Sequence, residues 1–371
     1  MQSKIITPSD GYHYFFGYYD LQPYSSDGNK HLCHRVGFID RLPTGEDTAE
    51  IGYIDIDSKS FVHLATTHSW NFQQGTLLQW FERDKTVVFN DFDGSKHIAR
   101  VVDMKGQEVR RYDMPFAALD VKNGAAISIN FSRIYDFRPG YGYPNIKDPG
   151  ADVSIPKDDG IFFIDLNSGE SKLLYSYNDF AEAFHEEPFT SAKLVVNHVN
   201  FSPLGTKFVF LLRNFGGESG VWRTLLAAGD LQGNLRALTK FEINSHYSFK
   251  DETTLMIYSG LPELGIYFIN TDTGERQRLY NDVCDPWDIH CNYSPDRNSF
   301  IADGYPDNDK KRPVYLYDFN TKEAKELFRV YSLPSETDLR CDLHVRWFDD
   351  GKRISYDTTE NGCRQIAEVV L

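Results

Sequence analysis

Cysteine is scarce in this chain: five among 371 residues, an odd number, with no CxxC pair. Reduced thiols are the simplest account of that pattern. No apolar run reaches the length of a membrane span. The first ten residues, Met1 to Asp10, hold no apolar core of a secretion signal, so a cytoplasmic protein is expected. Positive charge is also short, with 39 Lys and Arg against 54 Asp and Glu and a formal net charge of −15. A nucleic-acid binder needs a basic surface to displace counterions, so nucleic acid is not expected as a partner. The chain lacks a GxSxG elbow, a P-loop, a Rossmann fingerprint and an HExxH helix, which removes several common enzyme classes.

Aromatic residues, in contrast, are abundant: 22 Tyr and 27 Phe, with 15% aromatic overall. This composition suits strands better than helices. Two phrases recur along the chain. In the first, a histidine is followed three positions later by an aromatic residue and then by a turn: His198-Val-Asn-Phe-Ser-Pro, His246-Tyr-Ser-Phe-Lys-Asp, His290-Cys-Asn-Tyr-Ser-Pro-Asp and His344-Val-Arg-Trp-Phe-Asp-Asp-Gly. The gaps of 48, 44 and 54 residues between these histidines are the spacing of a propeller-like repeat. In the second phrase an apolar strand ends in Asp or Asn and enters a polar turn. It occurs at Ile54-Asp-Ile-Asp-Ser-Lys, Val102-Asp-Met-Lys-Gly, Ile164-Asp-Leu-Asn-Ser-Gly-Glu, Ala228-Gly-Asp-Leu-Gln-Gly, Ile269-Asn-Thr-Asp-Thr-Gly-Glu and Tyr317-Asp-Phe-Asn-Thr-Lys. Each has the chemistry of a hairpin turn.

The two phrases alternate from His198 onward, as they would if each unit began with an inner strand and ended in an outer hairpin. Counting gives about seven blades of roughly 50 residues, an all-β, seven-bladed β-propeller spanning 1–371 as one domain. After His344 too few strands remain for a complete last blade. The segment around Ile5 and Ile6 is expected to supply the missing strand and close the ring by pairing the two ends of the chain. Residues 131–156, rich in Gly, Pro and Tyr, read as a long inserted loop, the kind of segment that carries binding residues.

Equivalent positions in neighbouring blades come together, so the histidines are candidate ligands for a divalent metal, Zn or Mn. His246, His290 and His344 form the expected ligand set, with His198 either a fourth ligand or a free base. Cys284, ahead of His290, is a candidate thiolate ligand. In the inserted loop, Tyr135 is a candidate for proton transfer and Arg138 for clamping a carboxylate, with Tyr141 and Tyr143 as binding residues, a set suited to an acidic sugar. Gln74 and Asn90 lie among aromatics near His68 and are candidates for hydrogen bonding to sugar hydroxyls. Packing of blades is the competing explanation for the aromatics, and axial histidines satisfied by water and backbone compete with the metal site.

The phrases His198-Val-Asn-Phe-Ser-Pro, Asp288-Ile-His-Cys-Asn-Tyr-Ser-Pro-Asp with Ala302-Asp-Gly-Tyr-Pro-Asp, and Cys341-Asp-Leu-His-Val-Arg-Trp-Phe-Asp-Asp-Gly-Lys resemble the seven-bladed propeller polysaccharide lyases, the oligogalacturonate and ulvan lyases. The resemblance is strongest over residues 195–371. It implies a metal held largely by histidines and cleavage of a uronic-acid oligosaccharide by β-elimination, with His246, His290 and His344 as ligands and Tyr135 passing a proton. That chemistry also needs the carboxylate neutralised by a metal or an Arg, and a base, roles open to Arg138 and to His68 or His198. The chain departs from the family's pattern at Asp288-Ile-His290, where Asp-Gly-His is usual, and at Gln73-Gln74 and Asn90-Asp91, where amides replace histidines. The alternative is a propeller without catalysis that binds a glycan or a protein partner and uses its metal structurally.

Overall fold

The computed structural model describes residues 3–215, 223–285, 287–333 and 338–371. Among them are seven four-stranded antiparallel sheets, the blades of a seven-bladed β-propeller. Blade 1 runs from His13–Phe15 to Ser60–Thr67, blade 2 from Gln79–Glu82 to Glu108–Tyr112, and blade 3 from Ala118–Asp120 to Ser171–Ser176. Blade 4 runs from Leu194–Phe201 to Leu235–Ala237, blade 5 from Asn244–Phe249 to Arg276–Arg278, and blade 6 from His290–Tyr293 to Glu323–Tyr331. Blade 7 is Arg346–Trp347, Arg353–Thr358 and Gln365–Val370, and its fourth strand is Ser3–Ile5. Ser3 pairs with Val369 and Ile5 with Ala367, which closes the ring as the short last blade requires.

The six polar phrases are the turns between the third and fourth strands of blades 1 to 6. In each, the oxygen of the leading Asp or Asn accepts a backbone N–H a few residues on: Asp55 from Ser58, Asp103 from Lys105, Asp165 from Asn167, Asp230 from Gln232, Asn270 from Asp272 and Asp318 from Asn320. This side-chain-to-backbone bond imitates a turn and explains why the same residue type recurs. Burial varies across a blade. The second strand of blade 4, Phe208–Asn214, is buried at every position, whereas the fourth strand of blade 1, Ser60–Thr67, is open along much of its length. A strand covered on both faces reads as a continuous apolar run instead of an alternating one.

The chain forms two compact units. One holds Met1–Arg111, Pro139–Asn145 and Asn281–Leu371, and the other Tyr112–Arg138 and Ile146–Tyr280. The first contains an apolar cluster built on Tyr14, Leu32, Ile51, Val87, Phe89 and Val102, and a second on Ile301, Val314, Val345, Trp347 and Ile354. The core of the other unit includes Val209, Leu226, Tyr247, Leu255 and Ile269.

The insertion expected as a loop over 131–156 lies between Ala125–Ile129 and Gly160–Asp165, the second and third strands of blade 3. It is not wholly irregular. Phe131–Phe137 is an α-helix whose cap, Asn130, accepts from the N–H groups of Ser132 and Arg133. Phe131 and Ile134 are buried along it, and the helix stops at Arg138, where the backbone turns extended before Pro139.

Candidate metal centre

Three of the four repeated histidines lie within the first strand of their blade: His198 in Leu194–Phe201, His246 in Asn244–Phe249 and His290 in His290–Tyr293. His344 stands just ahead of Arg346–Trp347. The pairing register slips between Asn197 and Val199 and again between Asn244 and Tyr247, so two of the histidines sit at bulges. His198 and His344 share a left-handed backbone, with φ of 49° and 46°. A non-glycine residue pays for that conformation, and a bulge re-aims its side chain.

His290, Asp342 and His344 form one group, with potential ligand atoms within 4.8 Å of one another and all three side chains buried. The two imidazoles meet edge to face, centroids 4.5 Å apart. His290 Nδ1 lies 3.1 Å from Asp303 Oδ1 and His344 Nδ1 lies 2.7 Å from the carbonyl of Gly17. Both acceptors require Nδ1 to carry the proton, which assigns the lone pair of each ring to Nε2. His344 Nε2 is buried without a hydrogen-bond partner. Burial, with His290 beside it, holds the His344 pKa well below the usual range against the opposing pull of Asp342 and Asp303, so this ring is neutral.

The carboxylates have separate tasks. Asp303, the cross-strand partner of His290, also accepts the N–H groups of Leu343 (3.0 Å) and His344 (3.2 Å) through Oδ2. Burial pushes its carboxyl up to about 6. Asp342 is clasped by two guanidiniums, Arg312 Nη2 on Oδ1 and Arg340 Nε on Oδ2, each at 2.8 Å. Burial alone would raise its pKa, but Arg312 and Arg340 hold it well below the carboxylate range. Arg340 Nη2 also donates to the Tyr141 hydroxyl. Tyr18 and Tyr19 cover the His344 ring, at centroid distances of 5.1 Å and 5.9 Å, and Tyr19 also lies 5.4 Å from His290. A neutral imidazole pair with one carboxylate, its donor atoms converging and one of them orphaned, fits a divalent cation. The bond from His290 to Asp303 is the support that metal-binding histidines usually have.

Of the expected ligands, His290 and His344 belong to this group and His246 and Cys284 do not. The Cys284 thiol donates to Asn281 Oδ1 at 3.2 Å, and burial pushes its pKa up to about 12. His246 is half-buried in the other unit, with Nδ1 3.2 Å from Ser245 Oγ. His198 is buried there and stacks on Tyr247 at 4.2 Å. Tyr135 and Arg138, both half-buried, belong to that unit as well. Among the expected binding residues, Tyr141 meets Arg340, while Asn90 Nδ2 donates to the Tyr143 hydroxyl at 3.1 Å, both side chains buried. Gln74 is buried, its backbone N–H held by Asn71, and half-buried His68 donates its backbone N–H to Asp91.

Asp342, Asp303, Arg312 and Arg340 escaped the sequence reading. A signal was present for two of them. Arg340, Asp342 and His344 alternate, and alternate positions of an extended segment share a face.

The fold is shared with oligogalacturonate lyases. An oligogalacturonate lyase in complex with manganese superposes with a TM-score of 0.71 at 15% identity, over 100% of this chain and 93% of its own. An oligogalacturonate lyase from Vibrio parahaemolyticus gives 0.67 at 12% identity, over 99% and 93%. A prolyl endopeptidase also matches, with a TM-score of 0.56 and 10% identity over 99% of this chain but only 49% of its own. No protein-family model and no curated protein matches the chain. At these identities the likeness establishes the propeller, and activity has to be argued from the site.

Proposed function

We propose that this protein is a divalent-metal-dependent lyase that cleaves an acidic, uronic acid-containing oligosaccharide by β-elimination. The observation that carries this reading is the convergence of His290, His344 and Asp342, with each imidazole fixed through Nδ1 and presenting Nε2. The manganese in the structurally similar oligogalacturonate lyase supports it. His290 Nε2, His344 Nε2 and an oxygen of Asp342 would hold Mn or Zn. When bound, such an ion supplies Lewis acidity that neutralises a uronate carboxylate and acidifies the neighbouring C5 proton.

The chain's own groups do the rest. Asp303 and the Gly17 carbonyl keep the two rings in the ligating tautomer. Arg312 and Arg340 keep Asp342 ionised. In the elimination a base takes the C5 proton, the C5–H electrons form the C4=C5 bond, and the C4–O bond breaks with its oxygen receiving a proton. His68, which belongs to the same unit as the metal group, is the candidate for the base.

Incubating the protein with galacturonan, glucuronan and ulvan fragments, each with Mn and with Zn, tests the reading. A rising ultraviolet absorbance from the unsaturated product is expected with at least one substrate. No absorbance with any of them overturns the lyase. One observation favours a second reading, a glycan-binding propeller with a structural metal: both oxygens of Asp342 are already ion-paired and the group is fully buried. It predicts sugar binding without product, and a fall in thermal stability when metal is stripped.

A further inference from the structure

The metal group is buried, so a ligand must be received by residues that solvent can reach. His290 and Asp303 are cross-strand partners at one end of the first two strands of blade 6. Two large aromatic residues leave from that same end. Trp287 precedes His290 by three positions and is 59% exposed, and Tyr305 follows Asp303 by two and is 42% exposed. Both therefore flank, along the chain, the end of the strand pair that carries His290 and Asp303.

Tyr305 is also held in place. Its ring lies over the Arg312 guanidinium, 5.6 Å from the centroid, and Arg312 is buried against Asp342. Its hydroxyl end is desolvated and feels the charges of Asp288, Asp342 and Arg340, with burial pushing its pKa up. Polar end inward and ring partly open, the side chain is a fixed aromatic surface beside the site. Pyranose rings carry apolar C–H faces that stack on such surfaces, and a fixed ring loses little freedom on binding.

We propose that Trp287 and Tyr305 form a subsite for a pyranose ring adjoining the His290, Asp342 and His344 group, so that the ligand is an oligosaccharide of at least two rings and not a single uronate. This rests on the reading of the site as one for acidic sugars, and it adds a determinant of chain length. Trp287 is mostly exposed, whereas Tyr305 rests on Arg312, so Tyr305→Phe, which keeps that ring, is the control for its alanine variant.

The test is calorimetric binding of uronate oligomers of one to four sugars, in the presence of Mn, to the full chain and to Trp287→Ala, Tyr305→Ala and Tyr305→Phe. Affinity should rise with length in the parent. That gain should shrink by about fivefold in each alanine variant and persist in Tyr305→Phe, which keeps the ring. If the alanine variants keep the parent's length dependence, the subsite is overturned while the acidic-sugar reading stands. If the parent binds no oligomer at any length, both fall. A loss in Tyr305→Phe equal to that in Tyr305→Ala also overturns stacking, because the hydroxyl and not the ring would then carry the contact.

Discussion

His344 donates its Nδ1 proton to the carbonyl of Gly17, 2.7 Å away and 327 positions earlier in the chain. Gly17 has φ of +120°, and a Cβ there would stand 2.9 Å from the carbonyl oxygen of Gln74. The ring orientation of a candidate ligand therefore depends on a position that only glycine fills comfortably. Gly17→Ala is expected to weaken Mn binding about 10- to 100-fold by displacing the carbonyl that aims His344. Gly11→Ala is the control, because Gly11 has φ of +87° and nothing within 4 Å of its Cβ position. Metal titration of both variants checks this, and equal affinities would show that the Gly17 carbonyl has no orienting role.

Asp303 acts on both histidines, on the His290 ring and on the His344 backbone N–H. Asp303→Asn keeps the shape but removes the charge that favours an Nδ1 proton on His290. Mn affinity is expected to fall about 10- to 100-fold with the fold retained. Calorimetry together with far-ultraviolet circular dichroism checks it, and unchanged affinity would sever Asp303 from the metal site.

The fold was legible because its signals are local. The leading Asp or Asn of each outer turn makes its bond within a few residues, so the phrase repeats in the sequence wherever the turn repeats in space. His290 and His344 were legible for the same reason, as one repeated position. Asp342 was not, because aspartate is common on surfaces and its burial depends on Arg312, which comes from another blade. Asp303 becomes a partner of His290 only through cross-strand register, which the sequence does not display. The helix Phe131–Phe137 was hidden by its shortness and by the Gly, Pro and Tyr run that follows it.

Removing the carboxylate of Asp342 would leave Arg312 and Arg340 buried with their shared counter-charge gone. Breaking one side of such a buried ion pair typically costs about 3–5 kcal/mol. Asp342→Ala is expected to lose stability on that scale in urea unfolding without added metal. A loss below about 1 kcal/mol would mean that water or a neighbouring acid already compensates the two guanidiniums.

Acid should destabilise the protein through buried neutral histidines. His31 is fully buried, with Nδ1 2.8 Å from the Leu32 carbonyl and Nε2 2.9 Å from Ser355 Oγ. Burial, with Arg346 adding to it, lowers its pKa to about 3, and burial lowers His34 and His97 to about 4. Each group titrates near 6.5 once unfolded, so between that pH and its folded value the unfolded chain holds a proton that the native state does not. The stabilisation is fully present above pH 6.5 and drains away as pH falls toward 4 and then 3. Asp303, raised to about 6, works in the opposite sense below that pH, so the contribution of one histidine is best read as a difference between variants. Urea unfolding at intervals from pH 7 to pH 4 should show His31→Gln losing stability less steeply than the parent, by up to about 1.4 kcal/mol per pH unit. Parallel curves would mean that His31 takes up its proton in the folded state, despite its burial against Leu32 and Ser355.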